Sequence, residues 1–244
     1  MEKALANKVI AITGAGGGIG KAIAENLAKN GAKLLLLGGR NVQKLLDFEN
    51  KLKNDGVDCI AVAGNLTEDK TIEQGLKVCI EKFKKVDVLI NNAGTATNCP
   101  FSKVTKTQFD EIMELNAKVP FFITQKFLPY IKQSDSATII NIASIVGHNS
   151  YPNQSVYSAS KHALIGWSKA LATELFKENV RVHIISPGGV FTDMIKITRP
   201  DLTGEGMIMP EDVAKIVEFL LTNRTNAIID EIIVHRSGKE PFLA

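Results

Sequence analysis

Thr13-Gly14-Ala15-Gly16-Gly17-Gly18-Ile19-Gly20 follows directly on the apolar run Val9 to Thr13 and leads into the helical pattern Lys21-Ala22-Ile23-Ala24. Glycine permits both the tight turn and the close approach of backbone to a ligand. A helix that starts on such a turn presents unpaired N–H groups and the positive end of its dipole, which together attract a pyrophosphate. A glycine cluster alone would equally suit an ordinary turn. Its place between a strand and a helix favours a bound dinucleotide.

The pattern around this turn recurs along the chain. Short apolar runs at Leu34 to Leu37, Ile60 to Ala63, Val88 to Ile90, Thr138 to Ile142, Val182 to Ile185 and Ile228 to Val234 alternate with longer helical stretches. Continuous apolar strands separated by helices imply a parallel sheet covered on both faces. The fold class expected is therefore α/β, a Rossmann-like doubly wound, mostly seven-stranded parallel sheet with right-handed crossovers. The 244 residues, 45% of them hydrophobic, are enough for one large core, so residues 1–244 are expected to form a single domain. Gly31 reads as the C-cap of the first helix, and Pro210 with Glu211 and Asp212 opens the last. Pro120 should interrupt the helical pattern from Thr105 to Ile131. Met194 to Met209 reads as a long irregular excursion, and a substrate loop over roughly 191–209 is expected there.

Composition excludes several functions. The net charge of +3 is dispersed, and Lys82 to Lys85 lie beside Glu81 and Asp87. No basic stripe carries interleaved aromatics, so no nucleic-acid partner is expected. No apolar run reaches about 18 residues, and Met1-Glu2-Lys3-Ala4 leaves little room for a signal peptide before the first strand, so no membrane role is expected. Cys59, Cys79 and Cys99 are too far apart for a zinc ribbon or redox pair and cannot be fully paired, which suits a reducing cytoplasm. His183 and His235 have no ligand spacing, and no metal is expected.

The chemistry-bearing residues cluster at strand ends. Tyr157-Ser158-Ala159-Ser160-Lys161 opens a helical pattern through Leu164, Ser168, Leu171 and Leu175. A spacing of four puts phenol and ammonium on one helical face. The cation is expected to lower the tyrosine pKa from about 10 toward working pH. Asn91-Asn92-Ala93-Gly94, Asn141-Ile142-Ala143-Ser144 and Pro187-Gly188-Gly189-Val190-Phe191-Thr192 all fall at carboxyl ends of expected parallel strands, where open α/β sheets build their sites. After the second strand comes Leu37-Gly38-Gly39-Arg40-Asn41. An acid there would accept hydrogen bonds from the adenosine ribose and repel a 2′-phosphate; with none present and Arg40 nearby, NADP(H) is favoured over NAD(H).

Taken together, in this order and over nearly the whole chain, the glycine turn, the Asn-Asn-Ala-Gly segment, the serine and the Tyr-to-Lys spacing resemble the classical short-chain dehydrogenase/reductase family. The resemblance implies transfer of hydride between NADP(H) and a carbonyl or secondary alcohol, with Tyr157 as general acid/base, Ser144 orienting the substrate oxygen, and Lys161 bonded to the nicotinamide ribose. Asn116 matches the asparagine that holds a water in the proton relay, with a polar residue interrupting a helix near Pro120 as the lesser alternative. Gly14, Gly18, Ile19 and Gly20 match the pyrophosphate turn, Asn91 and Gly94 the adenosine side, and Val190 and Thr192 the carboxamide end. Gly64-Asn65-Leu66 departs from the family, which commonly has Asp after the third strand; Asn65 can still offer an acceptor to adenine. The polar C-terminal tail weakens any link to fatty-acid synthesis and resembles branches acting on small hydroxy acids, aldehydes or diverse ketones. The substrate pocket is expected between residues 95–101, 145–152 and 191–209, with His148 as a loop histidine. The family also implies a homo-oligomer, dimer or tetramer, consistent with extra apolar positions over Asp110 to Ile131 and Gln154 to Leu175. A catalytically silent NADP(H)-binding sensor is the alternative, and it would have no chemical need for Ser144, Tyr157 and Lys161 together.

Overall fold

The computed structural model describes residues 3–39, 41–198 and 203–239. Its strands are β1 (Val9–Thr13), β2 (Lys33–Leu37), β3 (Cys59–Val62), β4 (Val88–Asn91), β5 (Thr138–Ile142), β6 (Arg181–Pro187) and β7 (Glu231–Val234). They form one seven-stranded sheet in the order β3-β2-β1-β4-β5-β6-β7. Every pair is parallel. The chain reverses its direction of travel across the sheet between β3 and β4, which makes the β1/β4 boundary the switch point where such sheets open a crevice. The expected seventh strand is shorter than the apolar run suggested: Ile228 and Ile229 lie before it and are largely exposed.

Both faces of the sheet are covered, because successive side chains point opposite ways. On one face Ile10, Ile12, Leu34 and Leu36 pack with Ile23 and Leu27 of α1 (Gly18–Lys29), Leu45 and Phe48 of α2 (Val42–Asn54), and Val213 and Val217 of α8 (Pro210–Thr222). On the other, Val9, Ala11, Leu35 and Leu37 meet Ile72 and Cys79 of α3 (Asp69–Phe83), Ile123 and Phe127 of α5 (Val119–Ile131), and Leu175 of α6 (Ser155–Leu175). Helix ends follow their sequence signals. Gly31 takes φ +90° just past the α1 C-cap. Pro210 stands at the first turn of α8, where the Asp212 carboxylate accepts from the Met209 N–H at 2.9 Å.

Two features differ from expectation. The interruption near Pro120 is a π-helical turn, Glu114–Lys118, joining α4 (Lys106–Met113) to α5. Pro120 has no N–H to offer the carbonyl of Asn116 four residues earlier, and its ring would crowd that carbonyl, so the chain widens ahead of the proline. The segment expected to be irregular begins with a short helix, α7 (Asp193–Thr198). No described helix is long and apolar enough to cross a membrane.

Candidate active site

The glycine turn lies at the switch point. Gly14 and Gly18 adopt φ +67° and +51°, conformations that favour glycine. A Cβ on Gly20 would sit 2.3 Å from the Gly14 carbonyl oxygen and 2.5 Å from Asn92 Nδ2, so only glycine lets α1 start this close to the turn. The turn is held from β4: Thr13 Oγ1 accepts the N–H groups of Asn92 and Ala93 at 2.9 and 3.0 Å, while Asn92 Nδ2 donates to the Thr13 carbonyl at 3.0 Å. Nothing caps α1 from a side chain. Its first turn faces a cavity of about 480 Å³ lined by Gly14, Gly17, Gly18, Ile19, Asn65, Leu66, Gly94 and Thr192, among others. The uncapped helix start and the glycine cradle, which side chains would fill, fit the phosphates of a dinucleotide.

A second cavity, of about 590 Å³, shares Ile19 and Thr192 with the first. Ser144, Tyr157, Val190, Ile145, Tyr151 and Gln154 line it. Ser144 follows β5 and Tyr157 stands on the first turn of α6, so strand and helix bring their hydroxyls together. Burial pushes the Tyr157 phenol above its ordinary value, and a hydrogen bond from Ser144 pulls the other way. This corrects the expectation that Lys161 lowers it. The Lys161 ammonium donates instead to the Ile142 carbonyl at 2.9 Å, and lies 5.9 Å from the Tyr157 ring centroid. Burial drops the Lys161 pKa to about 8.

Asn116 sits in the π turn, buried, with Nδ2 donating to the Thr95 carbonyl at 2.8 Å and to Ser160 Oγ at 3.0 Å, and Oδ1 accepting from the Thr95 N–H at 2.8 Å. Gly94 fits between Asn116 and Lys161: its Cβ would stand 3.1 Å from Asn116 Oδ1 and 3.8 Å from Lys161 Nζ. Ser144, Tyr157, Lys161 and Asn116 are thus gathered round the ends of β4 and β5.

Other expected residues divide. Leu66 is buried against Gly38, and the exposed Asn65 holds the Thr67 N–H at 3.2 Å; both line the smaller cavity. Val190 is bridged to Ile208 and faces the larger one. Asn91 is not among the residues lining either cavity. Its Nδ2 bonds Thr124 Oγ1 at 2.9 Å and Asn141 Oδ1 at 2.8 Å, and Asn141 continues to Ser168 Oγ at 2.7 Å, a buried polar chain tying β4 and β5 to α5 and α6. The adenosine-side role expected of Asn91 is corrected accordingly. Arg40 lies outside the described residues. Of the loop over 191–209, residues 199–202 do as well, and Thr192 and Ile195 reach the larger cavity. His148 bonds Glu231 at 2.6 Å and Ser186 at 3.2 Å, anchoring the turn after Ser144 to β7 and β6.

Several lining residues escaped the sequence reading. Asn92 was legible as the second Asn of the Asn-Asn-Ala-Gly segment. Lys44, on the first turn of α2, comes within 3.3 Å of where a Gly17 Cβ would be, and pairs with Asp193 across the smaller cavity at 3.5 Å. His235, Arg236 and Lys239 enter the larger cavity from the end of β7. Nothing in the spacing of that tail marks it, since only the sheet order brings β7 beside β6. Among the described residues, no group of three or more His, Cys, Asp or Glu could hold a metal ion.

A seven-stranded parallel sheet with a glycine cradle and a Ser/Tyr/Lys cluster at its switch point defines a dinucleotide-dependent oxidoreductase. Residues 8–203 match the family described as short chain dehydrogenase, and the chain belongs to it. It is 34% identical over 230 residues to an uncharacterized oxidoreductase of Staphylococcus aureus strain USA300, covering 94% of this chain and 97% of that one. Among solved structures it resembles an alcohol dehydrogenase from the archaeon Thermococcus sibiricus complexed with 5-hydroxy-NADP (26% identity, TM-score 0.87, 96% and 98% of the two chains). It also resembles a metagenomic short-chain oxidoreductase in complex with NADP (30% identity, TM-score 0.82, 95% and 98%).

Proposed function

We propose that the protein transfers hydride between NADP(H) and a carbonyl or secondary alcohol, with Tyr157 as the general acid/base. The observation that carries this reading is the placement of Ser144 and Tyr157 on one cavity that joins the glycine-turn cleft at Ile19 and Thr192, with the buried Lys161 ammonium 5.9 Å from the Tyr157 ring. A bound dinucleotide supplies the hydride. In reduction Ser144 donates a hydrogen bond to the carbonyl oxygen, Tyr157 delivers its proton to that oxygen as negative charge develops, and Lys161 stabilises the phenolate left behind. Oxidation runs these transfers in reverse. The carbonyl of Asn116, which Pro120 cannot engage, is suited to accept from a water that returns a proton to the site.

Preference for NADP(H) rests on the absence of an acid in the Gly38-Gly39-Arg40-Asn41 segment and on Lys44, a cation at the mouth of the smaller cavity. The NADP-bound relatives support it. A reducing, cytoplasmic setting suits the three free cysteines, and a second copy of the chain is the partner that fits the exposed Phe121 and Phe122.

Fluorescence titration with NADPH and NADH, followed by loss of NADPH absorbance with a panel of ketones, aldehydes and oxo esters, tests the reading. Tighter NADPH binding, weakened in Lys44→Gln, and turnover of at least one carbonyl are expected. Tight binding with no turnover across the panel would favour the sensor.

A further inference from the structure

Resting on that reading of Ser144 and Tyr157, we propose that the natural substrate is an oxo acid or hydroxy acid, whose carboxylate is recognised by Arg236, which lines the same cavity. Two chemically distinct sets of groups line the cavity. One is the Ser144 and Tyr157 hydroxyls; the other is Arg236, with His235 and Lys239 from the same segment. Among the described residues, no aspartate or glutamate lines it. Glu231 is committed to His148, Ser186 and Lys169, and Asp193 to Lys44 and Lys196. Among the described residues Arg236 has no carboxylate partner, although it is partly buried.

Its placement is built into the backbone. The Gly188 N–H donates to the Val234 carbonyl at 2.8 Å, which fixes where the chain leaves β7. The arginine stem then passes beside Gly189, where a Cβ would be in ordinary contact with it, 3.7 Å from Arg236 Cδ and 3.9 Å from Nε. Burial pushes the Tyr151 phenol above its ordinary value and the Arg236 charge opposes that shift, and both residues line the cavity. A neutral ketone gives this cation nothing to pair with. A carboxylate matches the planar fork with two parallel hydrogen bonds and neutralises a charge that is partly withdrawn from water. Ile145, Val146 and Val190 line the same cavity, which suits an aliphatic spacer between carbonyl and acid.

Matched pairs separate this from the parent reading. With saturating NADPH, kcat/KM is measured for acetoacetate against methyl acetoacetate, and for levulinate against methyl levulinate, in wild type, Arg236→Gln, Arg236→Lys and the remote Lys29→Gln. The acid is expected to exceed its ester by tenfold or more in at least one pair, in line with the usual strength of a charged hydrogen bond. Arg236→Gln should collapse that ratio toward one, Arg236→Lys should keep part of it, Lys29→Gln all of it, and the acid's KM should rise with salt. Turnover with acid and ester equal, or a ratio indifferent to Arg236→Gln, overturns the proposal while leaving carbonyl reduction standing. No turnover with any carbonyl overturns the parent reading instead. In that event calorimetry of 3-hydroxybutyrate binding to the NADP-loaded protein decides: binding lost in Arg236→Gln supports the carboxylate site, and binding that is absent or unaffected overturns it.

Discussion

Lys161 gives its ammonium to the carbonyl oxygen of Ile142 at 2.9 Å, so the charge expected beside the Tyr157 hydroxyl is held at the end of β5 instead. Two buried groups that depend on each other are thereby set apart. The phenol is pushed up by burial and stays protonated, while the lysine is pushed down to about 8. For a general acid in carbonyl reduction this is a useful division, since the proton to be given is in place and the cation can follow the charge once it forms.

A pH profile follows. Below about 8 Lys161 is charged; above it the ammonium is lost before the phenol ionises. We expect kcat/KM for reduction to hold steady at neutral pH and to fall as pH rises through about 8. Steady-state rates with NADPH across the neutral to alkaline range check this, and a profile that stays level well above that value contradicts it.

The same lysine costs stability. In the unfolded chain its pKa is about 10.4, and in the fold it is depressed, so at neutral pH the fold bears the cost of a buried cation. That cost is fully present below about 8, where both states are protonated, and is relieved as pH rises from there toward the unfolded value. Lys161→Met should therefore gain roughly 1–3 kcal/mol at neutral pH while losing turnover, with a smaller gain at alkaline pH. Urea unfolding of both proteins at the two pH values measures it.

Gly20 admits no side chain. A methyl group there would meet the Gly14 carbonyl and Asn92, both fixed by the β1 to β4 contacts. Gly20→Ala should destabilise the fold by about 1–3 kcal/mol and weaken NADPH binding more than tenfold, because the turn itself must move. Thermal unfolding and fluorescence titration report the two effects separately.

Phe121 packs edge-on against Trp167 at 5.7 Å and against Phe122 at 5.3 Å, yet both phenylalanines remain about 40% exposed. If a second copy covers this face, Phe121→Lys should shift sedimentation velocity toward a smaller species without unfolding the chain. An unchanged distribution would place the interface elsewhere.

Much of this was legible in the residues. Leu34 to Leu37 is apolar at every position and β5 carries Ile139, Ile140 and Ile142 in a fully buried run, which only a sheet buried on both faces accommodates. The turn from Gly14 to Gly20 declared itself through its place between an apolar strand and a helix start. The misses share a cause: side chains whose direction depends on partners distant in sequence. Lys161 was placed on the right helical face, but its acceptor belongs to β5, nineteen residues away. Asn91 and Asn92 are adjacent and alike, yet the pleat sends the first into the α5/α6 side of the sheet and leaves the second at the glycine turn. Arg236 comes from a tail with no periodicity, and only the β6 to β7 pairing explains its position.

In the proposed reaction the Tyr157 hydroxyl delivers the proton. The most direct measurement compares NADPH oxidation by wild type and Tyr157→Phe with the best carbonyl of the panel, after titration establishes that both bind NADPH with similar affinity. The expected result is a fall in kcat of about 10²-fold or more in the variant, with its fold and cofactor binding retained. A Tyr157→Phe protein that still turns over at a rate near wild type would contradict it.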